Sequence, residues 1–557
     1  MASTALRYLM VTQLALRVTL VALLLVGCGA RSAETHDPNM VIAGWIAGPK
    51  GFIPYVTIDS PSTMIENQIY SPLIGLGSDL RPRWSASLAY KVDVTNGGKR
   101  YVLHLRRGAF WADGAPMDAR DVVFTLELET NPALPSAPSG DFALMRSVRA
   151  LNRYTVEVLL SKPSPPFLEN ALASDTLILP AHVLAKYPPA SQAEAKFLIG
   201  NGSFSQHPLV GGPFRVMRNV ADSYLILVPN PTYWGPKPHI SKIAFRVYPE
   251  QDSLYAAADA GEIDVTDIPP NLWHVHDRLR GQHKFVTWPW NVIFRLVPNY
   301  HSPEIPWMRD VRVRQAFMYA IDREFIASGI MNGQANVLNG PVPAFSPYYD
   351  PHTHQYPYDP ARARALLDAA GWHMQGSVRM KDGSTLRIVL KTGGATDAVA
   401  SNVAQLVQAN LQAVGIQCTL QNEEIQTFFS DYHASNFELA LQGVILPPYT
   451  DDYKYYDTKE TPSVGGSNYG YYSNPQLDSV MEAARVASSP AQARADLDRY
   501  QDLASEDVPV IFLYSMRLGA VVPPGLSGYD LYPLAPAALP MGLQFWQMNP
   551  SEAERRS

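Results

Sequence analysis

Between Leu439 and Tyr472 the chain gathers Tyr449, Tyr453, Tyr455, Tyr456, Tyr469, Tyr471 and Tyr472, and sets Asp451 and Asp452 among them. Tyrosine offers an apolar ring face and a polar tip, so such a cluster suits stacking on a ligand. The two aspartates could take a cation, an amine or hydroxyl groups. They do not make a catalytic pair, because adjacent side chains on an extended loop point apart. Two histidine pairs, His274-x-His276 and His352-x-His354, supply two imidazoles each. No third ligand follows either pair at metal spacing, so they are read as a polar helix face and a loop in a Pro-rich stretch. The chain has no G-x-S-x-G elbow, no H-E-x-x-H and no phosphate-binding glycine loop. Cys418 lies in Ile416-Gln-Cys-Thr-Leu420, where Ile416, Cys418 and Leu420 share one face of a strand, and is read as a buried apolar residue. The chemistry on offer is recognition rather than bond-making. No catalytic residue, metal or cofactor is expected.

The elements that must position these residues belong to a large chain. At 557 residues it exceeds one ordinary domain, and its hydrophobic content of 46% can fill more than one core. The net charge of −6 argues against nucleic-acid binding, which wants a basic footprint. Only 17% of residues are charged, while 29 Tyr and 47 Pro leave a polar-neutral, aromatic surface.

The stretch from Gly211 to Pro269 organises the rest. Tyr224 to Val228 is an apolar strand ended by Asn230-Pro231, and Ile243, Phe245 and Val247 alternate as a second strand. Asp252 is expected to cap a helix through Leu254 to Ala260, stopped by Gly261, and Ile263 with Val265 to open a third strand. Upstream, Asn96-Gly97 signals a hairpin turn. Asp118, with Asp121 three residues on, signals a capped helix. Residues 188–207 are polar and weakly patterned and are expected to form a surface excursion. Further helices are expected after Asp310, after Asp359-Pro360 and after Asn474-Pro475, alternating with strands such as Leu386–Leu390.

Several of these runs share an order with a known family. They are Gly211-Gly212-Pro213-Phe214, Asn230-Pro231-x-Tyr233-Trp234 and Ala260-Gly261-Glu262-Ile263-Asp264. To them are added Leu105-Arg106-Arg107-Gly108-x-Phe110-Trp111-x-Asp113-Gly114 and Asp310-Val311-Arg312-Val313-Arg314-Gln315-Ala316. With them the chain, from about Met40 to Met516, resembles the family 5 extracytoplasmic solute-binding proteins, the peptide- and nickel-type receptors of ABC importers.

The resemblance implies an α/β, two-lobed periplasmic-binding-protein-like fold (type II, cluster C) with an inserted subdomain. Lobe I would comprise 40–71, 208–285 and 505–557, the insertion 72–207 and lobe II 286–504. Ligand would lie between hinged lobes, and the partners would be a small-molecule or peptide ligand and membrane permease subunits, with no nucleic acid and a monomeric receptor. Cleft residues expected on this reading are Trp45, Trp288, Trp290, Thr392, Tyr449, Asp451, Asp452 and Tyr453. Peptide binders of the family place an aspartate just past a cleft strand. Here Gly443-Val-Ile-Leu-Pro-Pro-Tyr449 carries no acid until Asp451, and no arginine for a ligand carboxylate is evident near Lys391-Thr392-Gly393. This departure turns the expectation away from dipeptides. A peptide or peptide-like solute is expected, with an oligosaccharide, metal chelate or haem as alternatives. A secreted hydrolase or a cytoplasmic regulator are the alternative classes.

The N-terminus resembles a bacterial lipoprotein signal. Arg7 and Arg17 precede an apolar run from Val18 of about ten residues, too short to span a bilayer. It ends at Leu25-Val26-Gly27-Cys28. Residues 1–27 are expected to be removed and Cys28 to be acylated, with 28–39 a polar tether. The protein would then sit outside the cell membrane on a lipid anchor.

Overall fold

The computed structural model describes residues 37, 39–135, 142–173, 176–269, 272, 273, 275, 279, 283–395, 397–534 and 542–549. Cys28 with its leader, and His274 and His276, lie outside the described residues.

Two four-stranded sheets share the first of two large cores. In one, Met40–Trp45 pairs in parallel with Lys242–Val247, from Met40↔Lys242 to Trp45↔Val247, and Tyr224–Pro229 and Phe214–Val220 complete it. The other is antiparallel, in the order Ala89–Thr95, Arg100–Leu105, Thr155–Leu160, Met145–Asn152. Its hairpin turns through the four residues 96–99, where Lys99 N donates to Asn96 O at 3.3 Å across Gly97 and Gly98, whose positive φ of 57° and 83° places the turn one residue later than Asn96-Gly97. One continuous core joins both sheets, from Val41 and Ile65 through Leu103 and Trp111 to Phe245.

A second core packs Val313, Phe317, Leu390, Leu411, Cys418 and Leu441. Its sheet runs in the order Ala335–Val337, Ile511–Val522, Lys284–Pro298, Leu439–Ile445, Arg387–Thr392, Gln417–Asn422. Lys284–Pro298 and Ile511–Val522 are long antiparallel partners that pass from one core to the other. Val286, Trp288, Leu518 and Ala520 belong to the first, Ile293, Leu296 and Ile511 to Tyr514 to the second. Between Pro289↔Arg517 and Ile293↔Ser515 their register shifts. Pro289 has no N–H for the ladder, so a break there is where the pair bends most cheaply. The second core thus runs on to Tyr514, beyond residue 504.

Helix starts follow the capping residues. Asp118 accepts from Arg120 N while Asp121 Oδ2 accepts from Asp118 N at 3.0 Å, a reciprocal box at the head of Ala119–Leu128. Asp310, Asp359 and Asn474 cap their helices by accepting from first-turn backbone N–H groups, without the reciprocal bond. Three local expectations differ. The helix Gln251–Asp259 begins after Glu250, and Asp252 lies inside its first turn as a charge favourable to the helix dipole. Ile263 to Val265 forms no full strand: Val265 makes one bridge to Ala43, and the short strand is Thr266–Asp267. Residues 188–207 fold into two short helices, Gln192–Ile199 and Gly202–Gln206, because Ala195, Leu198 and Phe204 reach the core.

Candidate functional site

Between the two cores lies a cleft of about 900 Å³. One wall is the helix Ser60–Ile69, which presents Thr63, Asn67 and Gln68. Asp59 caps it through Ser62 N at 3.0 Å and Ser62 Oγ at 2.8 Å. Gly211 and Gly212 hold its other end, both donating their N–H to Ile69 O, at 3.0 and 2.7 Å. A Cβ on Gly212 would sit 2.6 Å from Ile69 C and 2.7 Å from Tyr70 N, so the approach excludes any side chain. Asn230 Nδ2 donates to Gly212 O at 2.9 Å, and Trp234 Nε1 to Ser71 Oγ at 3.0 Å, which itself donates to Gly211 O. Gly212, Asn230 and Trp234, which stood out in the sequence, therefore fasten the cleft helix, while Pro213 and Tyr233 of the same runs line the cleft.

The facing wall is the strand Leu439–Ile445 and the loop that follows it. Leu446 N donates to Asn291 O at 2.8 Å, and the register pairs Ile293 with Val444 and Arg295 with Gln442. Antiparallel bonding alternates, so Gly443 and Ile445 direct their N–H and C=O to the opposite edge. The neighbour there, Arg387–Thr392, pairs only as far as Ala440. Among the described residues, part of that edge, next to the cleft, has no partner strand. Ile445 is 65% exposed, and Gln442 Nε2 donates to Gly443 O at 2.5 Å.

The expected site residues divide. Asp451, Asp452 and Tyr453 line the cleft. Trp45 packs on Phe245 with ring centroids 4.3 Å apart, inside the first core. Trp288 is buried in the same core, Trp290 packs half-buried against it, and Thr392 is buried at a strand end. These four lie off the cleft lining. Tyr449 is buried too, beside Tyr348 at 4.7 Å, with its backbone held by Asn170. Tyr432, Tyr455, Tyr469, Tyr532, Phe545 and Gln68 line the cleft instead. Tyr455 and Tyr469 belonged to the tyrosine cluster seen in the sequence. Gln68 carried no signal there, since one glutamine on an amphipathic helix is unremarked until its face is known.

The two aspartates differ in state. Asp451 pairs with Arg485 at 3.1 Å, and that guanidinium covers the Tyr453 ring at 4.6 Å. Asp452 is 3% exposed and held at φ 46°. Tyr500 Oη donates to its Oδ2 at 2.8 Å. Its Oδ1 is buried with no hydrogen-bond partner among the described residues. Burial pushes the carboxyl up to about 7, against the pull of Arg295 and the Tyr500 hydrogen bond. Arg295 donates to Tyr456 Oη at 2.5 Å and to Gln442 Oε1 at 3.3 Å, with Tyr455 stacked at 4.8 Å. On the opposite wall Gln68 Oε1 is also buried and unpartnered among the described residues. Buried acceptors without donors are costly and uncommon, and both of these residues line the one cleft.

Elsewhere, burial pushes the Cys418 thiol up to about 12, which removes it as a nucleophile. His354 Nε2 meets Tyr319 Oη at 3.1 Å. Among the described residues no three His, Cys, Asp or Glu side chains gather as a metal site would need, and no helix is long and apolar enough to cross a membrane.

Two α/β lobes joined by a pair of long strands, with a cleft walled by both, define the solute-binding protein class of two-lobed periplasmic receptors. A family profile described as "Bacterial extracellular solute-binding proteins, family 5 Middle" matches residues 83–467, and the chain belongs to that family. It is 27% identical over 499 residues to the oligopeptide-binding protein AppA of Bacillus subtilis, covering 88% of this chain and 89% of that one. The structure of AppA in complex with a nonapeptide superposes with a TM-score of 0.71 at 26% identity, over 92% of this chain and 99% of that one. NikZ of Campylobacter jejuni in complex with Ni(L-His) shares the fold, with a TM-score of 0.73 at 22% identity over 92% and 99% of the two chains.

Proposed function

We propose that this protein is the lipid-anchored receptor of an ABC importer, which captures a peptide or peptide-like solute in the cleft and delivers it to membrane permease subunits. The observation that carries the reading is that Asp452 and Gln68, each with a buried oxygen that has no partner among the described residues, line opposite walls of one cleft. A ligand with a protonated amine and amide N–H groups supplies both. The strand edge at Gly443 and Ile445, which has no partner strand among the described residues, supports the same reading, because an extended peptide can add to an exposed edge through its backbone. The tyrosines around the edge would wall its side chains without demanding one sequence. Likeness to an oligopeptide-binding protein supports the class of solute. Asp452 would take the cation, while Asp451 would stay with Arg485. The lobes proposed are 40–71 with 208–288 and 515–557, carrying the insertion 72–207, and 289–514, acting as a monomer. The anchor would be Cys28, placing the protein outside the cytoplasmic membrane.

Mass spectrometry of what co-purifies with the protein from its native host tests the reading. Peptide masses are the expected result. An oligosaccharide, a metal chelate or haem as the bound species would overturn the peptide assignment, and measurable turnover of ester or peptide substrates would overturn the receptor role.

A further inference from the structure

Between Phe167 and Ala173 the backbone winds as a π-helix, a form that is rare and recurs at functional positions. One face of it is structural. Phe167, Ala171 and Leu172 are buried in the first core, and Phe167 packs edge-on to Tyr101 and Phe142, with centroids 5.2 and 5.9 Å apart. The other face reaches the second lobe. Asn170 Nδ2 donates to Tyr449 O at 3.0 Å, and Asn170 Oδ1 accepts from Tyr449 N at 2.8 Å. One turn-mate, Glu169, accepts a short hydrogen bond from Tyr348 Oη. Tyr449 belongs to the second core and Tyr348 packs against it.

The geometry is that of a clasp. A carboxamide bonded to both the N–H and the C=O of one residue copies the pairing of two strands, so it fixes separation and rotation together. Tyr449 is held for it from behind. Pro447 and Pro448 stiffen its approach, and its ring is buried against Tyr348. These bonds join residues 279 positions apart and cross from one lobe to the other, next to a cleft that Asn170 also lines.

We propose that Asn170, seconded by Glu169, is a latch that holds the two lobes together in the ligand-free protein. It is a positioning residue: it sets the population of the closed form and hence the affinity for any ligand that needs both walls. An apparent dissociation constant scales inversely with the fraction of binding-competent protein, so weakening the latch weakens every ligand by one common factor. The inference does not depend on what the cleft binds. It gives Tyr449 a place in lobe closure rather than in ligand contact.

Hydrogen exchange on the ligand-free full chain, resolved to single amides by mass spectrometry, tests it. The Tyr449 amide is expected to be protected in the wild type, and Asn170→Ala to speed its exchange by roughly tenfold or more. The amides of Leu103 and Leu390, deep in the two cores, should stay as slow as in the wild type. An unprotected Tyr449 amide in the wild type would overturn the latch, and so would equal protection in Asn170→Ala. Faster exchange of Leu103 and Leu390 in step with Tyr449 would also overturn it, since the effect would then be on folding. Should Asn170→Ala fail to fold, Tyr348→Phe takes its place. It removes only the tie to Glu169 and should speed Tyr449 by a smaller factor, roughly threefold, and no change would overturn the proposal.

Discussion

Replacing Asp452 by asparagine should flatten the pH dependence of folding stability, and the size follows from the site. The Asp452 carboxyl is pushed up to about 7 in the folded protein from an ordinary value of 3.8, chiefly by burial. The folded state therefore binds this proton more tightly than the unfolded chain. Stability is fully present below about pH 4 and is lost as pH rises through about 7, because ionisation leaves a buried charge with one oxygen unpaired. At about 1.4 kcal/mol per pH unit the loss between pH 5 and pH 8 is about 2.5 kcal/mol. Glu66, pushed up to about 8, and Asp267, pushed up to about 6, both by burial, contribute with the same sign. Only the difference between the two proteins isolates Asp452. The carboxamide of Asp452→Asn can still accept from Tyr500 and carries no charge. Urea unfolding of ligand-free protein at pH 5 and pH 8 measures the effect. The variant should lose about 2.5 kcal/mol less than the wild type over that interval and be at least as stable at pH 8. Equal losses would refute the claim that Asp452 sits buried and incompletely paired.

Three further outcomes are expected. Cys28→Ser should free the protein from membranes while leaving its unfolding midpoint unchanged, and persistence in the membrane pellet after a carbonate wash would contradict the anchor. In Asn170→Ala, whose lobes are no longer latched, saturating ligand should lower the radius of gyration measured by small-angle scattering, since the register shift between Pro289 and Ile293 lets the lobes close as rigid bodies. An unchanged radius with proven binding would count against closure. Gly212→Ala should cost roughly 3 kcal/mol in unfolding free energy, because the new methyl meets the backbone of Ile69 and Tyr70, which cannot yield as a flexible side chain would.

The parts of this fold that could be read from sequence are those governed locally. The caps at Asp118, Asp310, Asp359 and Asn474 depend on a few adjacent residues, and the structure has them as expected, while the hairpin turn signalled by Asn96-Gly97 falls one residue later, at Gly97-Gly98. The family runs also fell where the scaffold needs them, as Gly212 and Asn230 show against the cleft helix. The cleft itself was harder to see. Tryptophans are large enough to suit either a core or a binding wall, and only the packing of Trp45 on Phe245 decides for the core. Asp451 and Asp452 are neighbours of one type, yet Arg485, thirty-four positions away from Asp451, neutralises one and leaves the other to the cleft. Gln68 and Asn170 were missed because their role comes from what the opposite lobe presents, which no local pattern encodes.

The central claim is that the cleft takes a peptide whose ammonium meets Asp452. Calorimetry with a mixed tri- to pentapeptide library, free and N-acetylated, against the wild type and Asp452→Asn, tests it most directly. The account predicts that the free library binds the wild type, and that acetylation and Asp452→Asn each weaken binding by a hundredfold or more. Equal affinity for free and acetylated peptides, or binding of the free library undiminished by Asp452→Asn, would contradict it.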